Sequence, residues 1–323
     1  MRTRPGLLAA AVPLAAALLA SACSSSSSSS PAATGAAGGS PAAAGASVAK
    51  ITVIGAENEY ADVIAQVGGK YVQASSIMSN PNTDPHTFEA SPAVAREITG
   101  AKLVVQNGVG YDDWATTIEN ADPGDGRQVI NVQRLLGLPD NTANPHLWYK
   151  PTTMPAVANA VATDLGQIDP AHAAYYKANA ASFTASLGAW TKAMAAFKSA
   201  HPGVPVATTE PVADYMLQAA GADNLTPWTF QADIMNGTDP SPQDVATQKA
   251  LFTQHKVKVF LYNQQVTDSL TESYLKLASE NGIPVVGVYE TMPTPGYTYQ
   301  SWMLAAVNAL NKAVTSKVST EEL

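Results

Sequence analysis

Cysteine is almost absent from this chain: among 323 residues there is one, Cys23. Everything after it is free of disulfides, thiolate metal sites and cysteine nucleophiles, which leaves imidazole and carboxylate as the available metal-binding chemistry. Long apolar runs are also missing, apart from Leu7 to Ala20. That run follows Arg2 and Arg4 and ends in small residues, so residues 1–22 read as a secretory leader that is removed, not as a membrane span. Basic charge is scarce as well: of 18 Lys and Arg, Arg2 and Arg4 lie in the leader, leaving 16 against 26 Asp and Glu. Without a Lys/Arg cluster, the chain is a poor partner for nucleic acid. There is no His-Glu-x-x-His pair to mark a helix-borne zinc hydrolase.

Cys23 stands where a bacterial lipoprotein signal places the residue that becomes lipidated. The Ser, Ala, Gly and Pro tract behind it cannot bury a core, so residues 23–47 read as a lipidated cysteine followed by a flexible tether. The folded part begins near residue 48 and alternates strand and helix. Short β-branched runs at Ile51–Gly55, Tyr71–Met78, Leu103–Gln106 and Val129–Val132 are separated by segments of helical spacing, which predicts a parallel sheet with ligand loops at the carboxyl ends of its strands. The texture changes at 153–202, which is Ala-rich and lacks strand signal. Pro170 divides it into a helix over Met154–Gln167 and a second over Ala171–Ala200, the latter about 45 Å long, a strut between two lobes. Residues 203–323 return to the alternating pattern. The fold class expected is therefore α/β, with an N-terminal lobe over 48–152, linking helices over 153–202 and a C-terminal lobe over 203–323.

Five histidines are present, and two of them share a context. Asp84-Pro85-His86 and Asn144-Pro145-His146 each set Pro directly before His on a loop, and a stiff turn-forming backbone holds an imidazole in place. Neutral imidazole is a common transition-metal ligand. His172, His201 and His255 lie at helix ends and read as solvated.

These residues resemble the substrate-binding lipoproteins of zinc and manganese ABC importers, the TroA-like group also called cluster A-I or solute-binding protein family 9. The resemblance covers nearly all of the mature chain. It rests on Asp84-Pro85-His86 with Phe88-Glu89 and Ser91-Pro92, on the run Leu103 to Gly108 with Trp114, on Asn144-Pro145-His146-Leu147-Trp148, and on the long helix between the lobes. It implies a metal held between lobes by His86, His146, Glu210 and Glu290. The family ending of Tyr-Ser-Asp type reads Tyr289-Glu290-Thr291 here, so Asp214, Asp233 and Asp239 stay open as alternatives. Two imidazoles and two carboxylates balance a divalent charge.

The resemblance further implies capture, not catalysis: Zn2+ or Mn2+ as the transported ligand, an ABC permease as partner, a lipid anchor at Cys23 to the outer face of the cytoplasmic membrane, and a monomer. Imidazole suits zinc, and intrinsic affinity favours zinc over manganese, whereas carboxylates shift the set towards manganese. Two rivals remain from the sequence: a secreted zinc hydrolase with Glu210 or Glu290 as general base, and a surface adhesin of the same fold that needs no metal.

Overall fold

The computed structural model describes residues 49–323 other than Thr83 and Thr294. The expected leader, lipidated Cys23 and tether lie outside the described residues. Each half of the chain builds one four-stranded parallel sheet.

In the first half, β1 (Ile51–Glu57) leads into α1 (Asn58–Gly68), β2 (Val72–Met78), α2 (Pro92–Gly100), β3 (Leu103–Gln106), α3 (Asp113–Ala121), β4 (Gln128–Asn131) and the single turn α4 (Val132–Leu135). The strand order is β2-β1-β3-β4, with Val53 opposite Leu103 and Val105 opposite Ile130. β3 is buried along its whole length, as a central strand covered on both faces must be. Ser91 caps α2 by accepting the N–H of Val94, and Pro92 occupies the first helical position, where no donor is needed.

Next come α5 (Thr153–Ile168), α6 (Ala173–Ser186) and α7 (Gly188–Ala200). The second half continues with β5 (Pro205–Thr208), α8 (Asp214–Ala219), β6 (Asp223–Asn224), α9 (Trp228–Met235), α10 (Pro242–Thr253), β7 (Val259–Asn263), α11 (Ser269–Glu280), β8 (Val285–Val288) and α12 (Tyr299–Ser316). Its strand order is β6-β5-β7-β8, the same plan as the first sheet. In both sheets the order steps back to one edge and then returns past the first strand, which right-handed crossovers produce.

The long helix expected over 171–200 is interrupted at Leu187. There the amide of Leu187 bonds to Thr184 O at 3.3 Å, a tightened turn, and Gly188 starts the next segment. The interruption has a physical setting. α6 packs on α1 and α5 in the first half, whereas α7 packs on α12 and α8 in the second, so the helix bends where it passes from one half to the other. The largest apolar cluster runs through both halves and includes Trp148, Tyr149, Trp190, Tyr299 and Trp302. Burial of such side chains contributes roughly 1.5–3 kcal/mol each, so the two sheets are tied by a common core, which opposes wide rotation between them. Among the described residues, no helix is long and apolar enough to cross a membrane.

Candidate metal centre

The carboxyl ends of both sheets face the same cleft, and local turns deliver the side chains into it. After β2 the chain reaches the 3₁₀ turn Pro85–Thr87. Asp84 caps this turn by accepting the backbone N–H of His86 at 2.8 Å, which holds the backbone that carries the imidazole. His86 remains 20% exposed, whereas His146, Glu210 and Glu290 are at most 1% exposed, so access is from the His86 side.

His146 is oriented by Asn144. The oxygen Oδ1 of Asn144 accepts both the backbone N–H of His146, at 3.0 Å, and its ring Nδ1, at 2.8 Å. The Asn144 amide is itself oriented, because its Nδ2 donates to Pro211 O across the cleft at 2.8 Å. Nδ1 of His146 therefore carries the proton, and Nε2 presents a lone pair. Burial holds the His146 pKa below its ordinary value.

Glu290 follows β8. Its backbone N–H and that of Thr291 both donate to Gln265 Oε1, at 2.7 and 2.9 Å. Its Oε2 lies 3.0 Å from His86 Nε2, 3.3 Å from His146 Nε2 and 3.0 Å from the Tyr111 hydroxyl. The approach from His86 has the distance of an ion pair but not the alignment of a hydrogen bond. Burial alone would raise the Glu290 pKa, but the two imidazoles outweigh it and hold the carboxyl well below its usual range. In the opposite sense, burial lowers the pKa of His86, but the Glu290 charge outweighs it and leaves the imidazole above its ordinary value.

Ligand-capable atoms of His86, His146 and Glu290 lie within 4.8 Å of one another. Glu210, two residues past β5, stands beside this trio rather than inside it. Its Oε1 accepts from Asn263 Nδ2 at 3.0 Å, and the same nitrogen donates to Glu290 Oε1 at 2.7 Å. Its Oε2 is buried without a partner. Burial, and then the charge of Glu290, push the Glu210 pKa well up. The alternatives are engaged elsewhere: Asp214 accepts from Asn224 at 2.9 Å and Asp233 from Thr238 at 3.3 Å. Asp239 is not part of the trio either. His172 differs from the solvated reading, since it bonds Asp169 at 2.6 Å and stacks on Tyr71 at 3.7 Å.

Some contributors escaped sequence reasoning. Tyr111 and Asn263 surround the trio but carry no motif of their own, and Asn144 lies in the second Pro-His motif without its orienting role being readable there. Asn58, Glu57 and Glu59, at the junction of β1 and α1, are wholly or nearly buried, and the Glu57 and Glu59 carboxylates have no hydrogen-bonding partner of good geometry. Burial raises the pKa of both well above the ordinary carboxylate value. The mouth of the cleft is a cavity of about 250 Å³, lined by His86, Val109 and Tyr111 on one side and Trp228, Ala232 and Met235 of α9 on the other. Val109 has a φ of 58°, uncommon for a β-branched residue, and its amide is held by Gln133 Oε1 at 2.7 Å.

The two parallel sheets bring His86, His146 and Glu290 together at one place between the halves. The chain belongs to the ZnuA family, "Zinc-uptake complex component A periplasmic", whose model matches residues 53–313. This is a family of transporter solute-binding proteins, not of enzymes. The chain is 22% identical to a putative metal-binding protein of Treponema pallidum over 292 residues, covering 84% of this chain and 90% of the relative. It is also 22% identical to the manganese-binding lipoprotein MntA of Bacillus subtilis, covering 82% and 90%. Among solved structures, the Ni2+ complex of the solute-binding protein FpvC from P. aeruginosa superposes with a TM-score of 0.67 at 22% identity, covering 85% of this chain and all of that one.

Proposed function

We propose that this protein captures one divalent transition-metal cation in the cleft between His86, His146, Glu290 and Glu210, and delivers it to the membrane permease of an ABC importer. The observation that carries the reading is the confrontation at His146. Its Nε2 lone pair, fixed by the Asn144 contact to Nδ1, points at the Glu290 Oε2 oxygen 3.3 Å away in a fully buried place. Two lone pairs in such a setting repel each other unless a proton or a metal cation lies between them, and a metal replaces the proton when it binds. The unpartnered Glu210 Oε2 adds a further donor without a task.

Zinc is the cation this donor set favours, with manganese next. The family and its relatives are associated with zinc, manganese and nickel, so chemistry and not kinship decides: imidazole nitrogens and intrinsic affinity both favour zinc over manganese. The leader 1–22, a lipid on Cys23 and the tether 23–47 would place the 48–152 and 203–323 lobes, with their linking residues 153–202, on the outer face of the cytoplasmic membrane as a monomer. Binding would hold the lobes together, and release would take a modest opening, consistent with their common core.

The test is elemental analysis of the protein from residue 48 onward, after chelation and reloading with equimolar zinc and manganese. One zinc retained per chain supports the proposal, manganese retained against zinc reverses the order, and no metal retained refutes the capture reading.

A further inference from the structure

We propose that Asn263 sets how many oxygen atoms this site offers a metal, and so favours a four-coordinate cation; the inference rests on the metal-capture reading above. Asn263 is the last residue of β7 and is fully buried. Its amide cannot turn over, because Oδ1 accepts the N–H of Gln265 at 3.1 Å, while its own backbone N–H donates to Thr209 Oγ1 at 3.0 Å. The NH2 group is thereby aimed at the carboxylates, and its two hydrogens match its two contacts: Glu210 Oε1 at 3.0 Å and Glu290 Oε1 at 2.7 Å.

The consequence is stoichiometric. Each carboxylate has one oxygen held by Asn263, which leaves Oε2 of Glu290, facing both imidazoles and accepting the Tyr111 hydroxyl through another lone pair, and Oε2 of Glu210, buried and unpartnered. Glu210 Oε2 lies outside the trio of His86, His146 and Glu290, so it has to be drawn in on binding; two nitrogens and two single oxygens then make four donors, the number zinc takes with such ligands. A hard cation that prefers about six oxygen-rich donors would need the second oxygens, and reaching them would cost the Asn263 hydrogen bonds. The same NH2 group lies between two carboxylates whose charges repel, and so lets them converge on one place. Asn263 is therefore a positioning and selecting residue, not a ligand.

The test compares wild type with Asn263→Leu and Asn263→Ser, using zinc, manganese and cobalt salts. Competition titration gives the ratio of zinc to manganese affinity, and the visible spectrum of the cobalt-loaded protein reports coordination number, because four-coordinate cobalt absorbs far more strongly than six-coordinate cobalt. The expected result is intense cobalt bands in wild type, weak bands in the variants, and a zinc preference narrowed by about tenfold or more, the scale of losing a partner to a metal ligand. A variant that is merely less stable would lose affinity for both metals alike and keep intense bands, which would overturn the inference. Weak bands in wild type, or an unchanged ratio in a variant that folds, would overturn it too. Failure of wild type to bind any of the three metals would instead refute the capture reading on which the inference rests.

Discussion

Asn58 joins the two halves of the molecule at the loop that follows Glu290. Its Nδ2 donates to Met292 O at 2.8 Å and its Oδ1 accepts the Met292 N–H at 2.8 Å, so a single amide satisfies both backbone groups of a residue 234 positions away. Asn58 and Met292 are 6% and 5% exposed, so water does not readily replace the contact. Asn58→Ala removes two hydrogen bonds of about 1 kcal/mol net each and strands a buried N–H and C=O. Partial rehydration of the vacated space moderates the penalty, and we expect a loss of about 2–4 kcal/mol. In a domain of this size, about 2 °C accompanies each kcal/mol, which predicts a fall in Tm of about 4–8 °C. Metal should also dissociate faster, since Met292 is two residues from Glu290. A fitting control is Gln66→Ala, which breaks the half-exposed Gln66–Gln300 pair between the same two halves and the local Gln66–Asp62 bond, where water can take the vacated places. That change should cost under about 1 kcal/mol, the scale of an ordinary hydrogen bond. Denaturant melts of the three metal-free proteins decide the matter: if Asn58→Ala is no less stable than Gln66→Ala, the clasp does not hold the halves together.

Metal should stabilise the protein: free zinc at about a thousandfold its Kd adds about 4 kcal/mol, a Tm rise of about 8 °C by calorimetry, and His86→Ala should abolish most of that rise while leaving the metal-free Tm near wild type. Burial pushes the Asp112 pKa up to about 7 and raises Glu57 and Glu59 as well. The folded state then holds protons that the unfolded chain releases above about pH 4. The stabilisation is complete below that pH and is lost as pH rises through about 7. The Tm of the metal-free protein should accordingly fall over that window, with a shallower slope in Glu57→Gln. Gly188→Ala should raise stability by about 0.4–1 kcal/mol, because no atom lies within 4 Å of the added methyl; a destabilised variant would show that the bend needs glycine. By contrast, a methyl at Gly287 would meet Glu321 O at 1.9 Å, where the chain end pairs with β8 through Thr320. Gly287→Ala should release residues 319–323, seen as faster amide exchange there.

Much of the architecture was legible because it is written locally. β-branched runs bounded by helix stops placed the strands to within a residue or two, since a strand buried on both faces must be apolar throughout. The Ser-Pro starts of α2 and α10 were visible because caps and first-turn prolines act within four residues. The two Pro-His turns were visible for the same reason. β6 and α9 were not found. β6 has two residues and exists only because β5 lies beside it, and α9 starts without a side-chain cap. The break at Leu187 was also hidden, because helical spacing continues through it and the bend answers to two different packing partners.

The sequence by itself determined the α/β class, the two lobes' parallel sheets and the turns that hold His86 and His146, because each depends on residues within one or two turns of chain. Only the tertiary structure decided that Glu290, and not the open alternatives Asp214, Asp233 or Asp239, sits 3.0 Å from His86, and that Glu210 stands beside it across one Asn263 amide. The orientation of His146, the clasp at Asn58 and the raised pKa of the carboxyls at the head of α1 likewise come from contacts and burial created by folding. A carboxylate's role follows from the desolvation and the neighbours it meets, and those are properties of the assembled core rather than of the neighbouring letters.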